Sequence, residues 1–103
     1  MNIVWHPLAK ESKQQIANYI RREFGVKRKI RFLQEVIDTA NMLKDSPNIG
    51  QIDPLFSNRP KTYRSIIING LSKMVYYVDG DTIHIAAFWD TRREPKNQAS
   101  QTE

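Results

Sequence analysis

The chain opens on a short apolar cluster. Ile3, Val4 and Trp5 are β-branched or aromatic, and Pro7 ends the run, so residues 2–6 read as a strand. His6-Pro7 then opens a helix, since proline in the first turn lacks only an N–H that would be unpaired there. Leu8, Ser12, Ile16, Ile20 and Phe24 follow at i+4 spacing, with Ala9, Ala17 and Tyr19 beside them, which is an amphipathic stripe. Gly25 falls just past Phe24, where a left-handed cap is expected. A second helix is predicted over 27–44. Ile30, Leu33, Ile37 and Ala40 form its row, widened by Phe32, Val36 and Leu43, and Pro47 closes it. Gly25-Val26 is the whole connection, so the helices should form an antiparallel hairpin.

Residues 48–62 have no period and contain Gly50, Pro54 and Pro60; they read as a loop, or a loop with a short turn of helix. Connections of this length are often functional. The last third is β: strands over 63–69, 72–78 and 82–89, separated by Asn69-Gly70 and Asp79-Gly80-Asp81. In the last strand Ile83, Ile85, Ala87 and Trp89 alternate against Thr82, His84, Ala86 and Phe88. Two consecutive tight turns make a three-strand meander. The fold class is therefore α+β, in the order β-α-α-β-β-β. A helical hairpin is packed on one face of a small, mainly antiparallel sheet, and the other face is left open. The first strand should join an edge of the meander. Ile16, Ile20, Phe24, Leu33, Ile37, Ala40, Ile66 or Ile67, Ile83 and Ile85 are the expected core, with Trp5 and Trp89 also inside.

At 103 residues the chain is one domain, placed at 1–95, with a polar tail at 96–103 expected to fray. No apolar run reaches the roughly 20 residues that span a bilayer, and the N-terminus lacks the pattern of a signal peptide. Zero cysteines exclude disulfides and thiol chemistry, and two histidines argue against a metal site. No metal, no cofactor and no membrane partner are expected, and the expected compartment is the cytoplasm. Sixteen Lys and Arg against eleven Asp and Glu give a net charge of +5, which fits a polyanionic or acidic partner or simply aids solubility. Six cations, Arg21, Arg22, Lys27, Arg28, Lys29 and Arg31, meet only Glu23 at the junction of the helices. They make either a solvated hairpin tip or a surface for an acidic partner.

Several pieces recur in one order: the strand before Pro7-Leu8-Ala9, then Tyr19-Ile20 with Phe24-Gly25, then Leu43 with Pro47-Asn48-Ile49-Gly50. Tyr63-Arg64-Ser65-Ile66, the run Val75-Tyr76-Tyr77-Val78-Asp79-Gly80-Asp81-Thr82-Ile83-His84-Ile85, and Asp90-Thr91-Arg92-Arg93-Glu94-Pro95 follow. Together they resemble the RelE/ParE superfamily of bacterial toxins from type II toxin–antitoxin modules, over about residues 2–95. The resemblance implies growth inhibition, a role in plasmid stabilisation, and neutralisation by a cognate antitoxin. Such an antitoxin would lie across helices and sheet, over exposed apolar residues such as Phe56, Tyr63 or Phe88.

The superfamily offers two mechanisms. A RelE-like, ribosome-dependent mRNA endonuclease needs a base for the ribose 2′-OH, a cation for the phosphorane and an acid for the leaving oxygen. By resemblance Arg64 and Arg92 (or Arg93) fall at phosphate-binding positions, with Arg59 and Lys61 as further cations; the planar fork of arginine suits that role. Catalytic members place a Tyr or His near the C-terminus, and here Arg92-Arg93-Glu94-Pro95-Lys96 holds neither. His84, the remaining imidazole, or a lysine would handle the proton, Glu94 is a weaker base, and His6 reads as structural. The ending resembles the ParE branch, whose members poison DNA gyrase. The leading expectation is thus a toxin that binds gyrase or another essential macromolecular target through Arg59, Lys61, Arg92 and Arg93. The ribosome and its mRNA are the target in the second reading. In a third the chain is an inactive family member kept as an interaction module.

Overall fold

Pro7 stands at the first position of the first helix, and Gly25 ends it. The computed structural model describes residues 1–70 and 72–91. Arg92, Arg93, Glu94 and the tail at 96–103 therefore lie outside the described residues. In order the elements are β1 (Asn2–Trp5), α1 (Pro7–Phe24), α2 (Val26–Asp45), β2 (Gln51–Ile52), a single 3₁₀ turn (Pro54–Phe56), β3 (Arg64–Ile68), β4 (Ser72–Asp79) and β5 (Thr82–Asp90). Gly25, at φ 96°, is the entire link between the helices. The strands form one five-stranded sheet in the order β1-β5-β4-β3-β2. β1 pairs parallel with β5, Asn2 opposite Thr82 and Trp5 opposite Ile85; every other pairing is antiparallel. The α+β hairpin-on-sheet architecture and the edge position of β1 are as the sequence predicts.

The helices cover one face of the sheet. Ala9, Ala17 and Ile20 of α1 and Phe32, Val36 and Leu43 of α2 pack there against Ile68, Met74, Tyr76, Ile83, Ile85 and Phe88. Ser12 sits in the apolar stripe of α1 without an unmet polar group. Its hydroxyl donates to Leu8 O at 2.7 Å and accepts the Phe88 N–H at 2.9 Å, pinning α1 to β5.

The expected phase of the second helix is corrected. Ile30 and Ile37 are 60% and 52% exposed, whereas Phe32, Val36 and Leu43 are buried. Ala40 is buried and Leu33 is half-buried against the core, as expected. Both rows satisfy the helical period. The row containing Phe32 and Leu43 brings more volume to the wedge between α1 and the sheet, and it takes the inside. Phe24 is also 51% exposed, at the end of α1, under the Arg28 guanidinium. Ile66 is half-buried against the core, but Ile67 points to the other face and is exposed.

Two further expectations change at β5. Opposite Val75 and Tyr76, β5 carries one extra residue, Ala86, and the pairing passes from Ala87 to Ile85. This bulge reverses the alternation. Ile83, Ile85 and Phe88 face the helices, while Ala87 and Trp89 join the opposite face. That opposite face is not open. The segment at 53–63 folds over it, and Phe56, Tyr63, Val75, Tyr77, Ala87 and Trp89 make a second cluster with Leu8 and Leu55 at its margin. Phe56, Tyr63 and Phe88, expected to be exposed, are buried, because the loop with its 3₁₀ turn and α1 cover them.

Candidate functional site

The second face of the sheet carries a row of rings running from β1 to the loop. His6, at the N-terminus of α1, places Nε2 2.9 Å from His84 Nδ1 in β5, one imidazole donating its N–H to the other. His84 stacks on Tyr77 of β4, ring centroids 4.7 Å apart and nearly parallel, and His6 meets the same ring edge-on. Tyr77 is edge-on to Tyr63, which stacks on Phe56 at 5.0 Å. Such pairs add modestly to the area they bury.

Cations flank this row. Lys61 Nζ lies 4.6 Å above the Tyr77 ring and 3.0 Å from Asp79 Oδ2. Their hydrogen bond raises the Lys61 pKa and holds the Asp79 carboxyl below the ordinary carboxylate range. Lys73 reaches under Phe56 and meets Asp53 at 2.6 Å, both nearly out of water. Asp53 also accepts the Leu55 N–H at 3.0 Å, capping the 3₁₀ turn. This ion pair fastens the loop across the sheet.

Arg64 lies elsewhere. It pairs with Tyr76, whereas His84 pairs with the next residue, Tyr77. Successive strand residues point to opposite faces. The sheet therefore separates Arg64 from His84. Arg64 Nη1 donates to Gly50 O at 2.8 Å and Asn48 O at 3.3 Å, holding the chain as it leaves α2. Tyr76 works beside it: its hydroxyl donates to Pro47 O at 2.8 Å and accepts the Gly50 N–H at 2.9 Å. Burial is the main reason the Tyr76 phenol titrates above its ordinary range. Gly50 is required by closeness. A Cβ there would lie 2.7 Å from the Tyr76 hydroxyl oxygen.

The residues singled out in the sequence thus divide. Lys61 and His84 come together around Tyr77, joined by His6, which reads as structural by sequence but is part of the ring row. Arg64 is on the helix-covered side. Arg59 is half-buried in the loop, its N–H donating to Phe56 O at 3.1 Å. Sequence reasoning missed Tyr77 and the Asp53–Lys73 pair. A lysine directly before the apolar and aromatic run at 74–78 of β4, facing a loop with one early aspartate, was the available signal. Among the described residues, no group of three or more metal-ligating side chains comes together, and no helix is long and apolar enough to cross a membrane. A groove of about 620 Å³ runs between α1 and the end of β5, lined by apolar Leu8, Ile16, Ile20 and Phe88 and by charged Glu11, Arg22 and Asp90.

Comparison with known proteins matches this architecture. A structure described as the chromosomal ParDE TA system from P. aeruginosa superposes with a TM-score of 0.70 at 19% identity, covering 87% of this chain and 95% of that one. The YoeB dimer from Staphylococcus aureus gives 0.58 at 24% identity, covering 84% and 92%. No curated protein matches the chain. These likenesses establish a shared fold. The family model for the ParE toxin of the type II toxin–antitoxin system parDE matches residues 3–95, from β1 through the whole sheet and beyond its last strand. On that extent, the chain belongs to the ParE toxin family of type II toxin–antitoxin systems.

Proposed function

We propose that the protein is a growth-arresting toxin that binds DNA gyrase or another essential macromolecular target, and that a cognate antitoxin neutralises it. The observation that supports binding over RNA cleavage is the placement of Arg64 and His84 on opposite faces of the sheet. A phosphorane-stabilising cation and a proton-transfer group must meet at one phosphate. Here Arg64 is engaged with Asn48 and Gly50 carbonyls, and His84 with His6. The family match supports the toxin role. The groove beside α1 offers the antitoxin apolar side chains bordered by charges of both signs, Glu11, Arg22 and Asp90.

Induced expression should arrest growth of a heterologous bacterium, and co-expression of the adjacent gene should relieve the arrest. Arg92→Ala and Arg93→Ala should weaken target binding and toxicity together, while His84→Gln should leave both nearly unchanged. Purified protein that cuts ribosome-bound mRNA, and loses about 10²–10³ in rate on Arg64→Ala while binding persists and the fold is intact by circular dichroism, would replace this reading with the endonuclease. Unimpaired growth at high soluble expression would point to an inactive interaction module.

A further inference from the structure

α2 has two apolar rows, and its own domain uses only one. Val26, Ile30 and Ile37 are 53%, 60% and 52% exposed, and half-buried Leu33 lies between them. The steps along this outer row are four, three and four residues, the spacing of a seam between paired helices. The spacing reads identically from either end. We propose that this row is a self-complementary interface for a second copy of the chain. In it two α2 helices lie antiparallel about a two-fold axis midway between Ile30 and Leu33. Val26 then faces Ile37 of the second copy, and Ile30 faces its Leu33.

The charge along α2 selects this occupant. Before the axis it carries Lys27, Arg28, Lys29 and Arg31 with no acid; beyond the axis Glu35 and Asp38 come before its one cation, Lys44. A parallel pair would set cations on cations. An antiparallel pair sets each half against its opposite, as closed two-fold interfaces require. Eleven residues, close to three helical turns, separate Lys27 from Asp38, so both lie on one flank of the row. Across the axis Lys27 of one copy comes beside Asp38 of the other. Asp38 takes one hydrogen bond from Gln34, at 2.9 Å, and a carboxylate has further lone pairs to offer. Nucleic acid would engage the cations but has no use for three exposed aliphatic side chains beside them. Four side chains per copy make a small interface, so the association falls in the weak, micromolar class.

The absence of cysteine from the chain makes the test direct. Val26→Cys and Ile37→Cys proteins, mixed and oxidised, should form a disulfide-linked heterodimer, while neither forms one alone. Sedimentation equilibrium of the unmodified protein should show a dimer. Ile30→Asp should weaken it about 100-fold or more, because the two-fold axis puts the lost aliphatic side chain on both sides of the interface. Because Ile30 is exposed in the single chain, its thermal unfolding as a monomer should not move. Lys27→Asp should weaken the dimer, and adding Asp38→Lys should restore it. A protein that stays monomeric up to its solubility limit would overturn the proposal. So would self-linking of Val26→Cys alone, or protection of the row only in a complex with the product of the adjacent gene.

Discussion

The two faces of the sheet are built by different means. On the helix-covered face, Phe32, Val36 and Leu43 pack on Met74, Ile83 and Ile85, and packing does nearly all the work. On the opposite face an irregular loop replaces the helices. Rings fill it, Phe56 on Tyr63 on Tyr77, and one ion pair between Asp53 and Lys73 ties the cover down. A helix pair covers a sheet mainly by shape, here with the Ser12–Phe88 hydrogen bond pinning α1 to β5. A loop of Pro54–Phe56 and its neighbours buries too little apolar area for that, so it depends on named polar contacts. The second face also grades into solvent at His6 and His84, and there the polar side chains that could meet a partner collect.

Substitutions can break this contrast. Phe32→Ala should cost about 3–5 kcal/mol in denaturant unfolding. Ile37→Ala, on the same helix, should cost under about 0.5 kcal/mol in the monomer, the usual surface range. Equal losses would restore the phase expected from sequence. On the loop-covered face, Lys73→Ala should cost about 3 kcal/mol, because Asp53 is left buried without its partner. Hydrogen exchange at Leu55 should rise with it, as the 3₁₀ turn loosens. Tyr76→Phe should cost about 1–3 kcal/mol by stranding the Gly50 N–H. Gly50→Ala should also destabilise the native protein, and less so in the Tyr76→Phe background, where the nearest atom is gone.

The smallest effect is that of Lys61 and Asp79 at the exposed margin. The carboxyl of Asp79 is held below its ordinary pKa, so whatever stability the pair gives is present above that ordinary value and is lost as pH falls through the lowered one. For Lys61, whose pKa is raised, the contribution is complete below the ordinary lysine value and disappears as pH climbs through the raised one. Unfolding at neutral pH should therefore feel the pair, and added salt should erase it.

Element order was legible because Pro7, Gly25, Pro47 and Asn69-Gly70 punctuate the sequence at the points where the chain turns. The facing of side chains was less so. In α2, two rows with the same period compete, and periodicity carries no information about which one is wedged against α1. In β5 a single bulge at Ala86 moves Ala87 and Trp89 across the sheet, and nothing local distinguishes Ala86-Ala87-Phe88 from an unbroken strand. The candidate site suffered from both. Arg64 and His84 look equally available along the chain, and only the register, Arg64 to Tyr76 and His84 to Tyr77, shows that they face apart. The His6–His84 contact joins residues 78 apart, beyond the reach of any local pattern.

The parallel pairing of β1 with β5 also bears on how the protein is born. Asn2 meets Thr82, so β1 has no strand neighbour until β5, about 80 residues later, has been synthesised. Contacts this distant in sequence close late and slow folding. Met1 to Trp5, including the ring of Trp5 that stacks near Phe88, must wait while the helical hairpin and β2 to β4 emerge from the ribosome. A chain truncated before Thr82 lacks both β1's partner and the strand that carries His84. A product terminated before Thr82 should therefore stay unfolded, as circular dichroism would show.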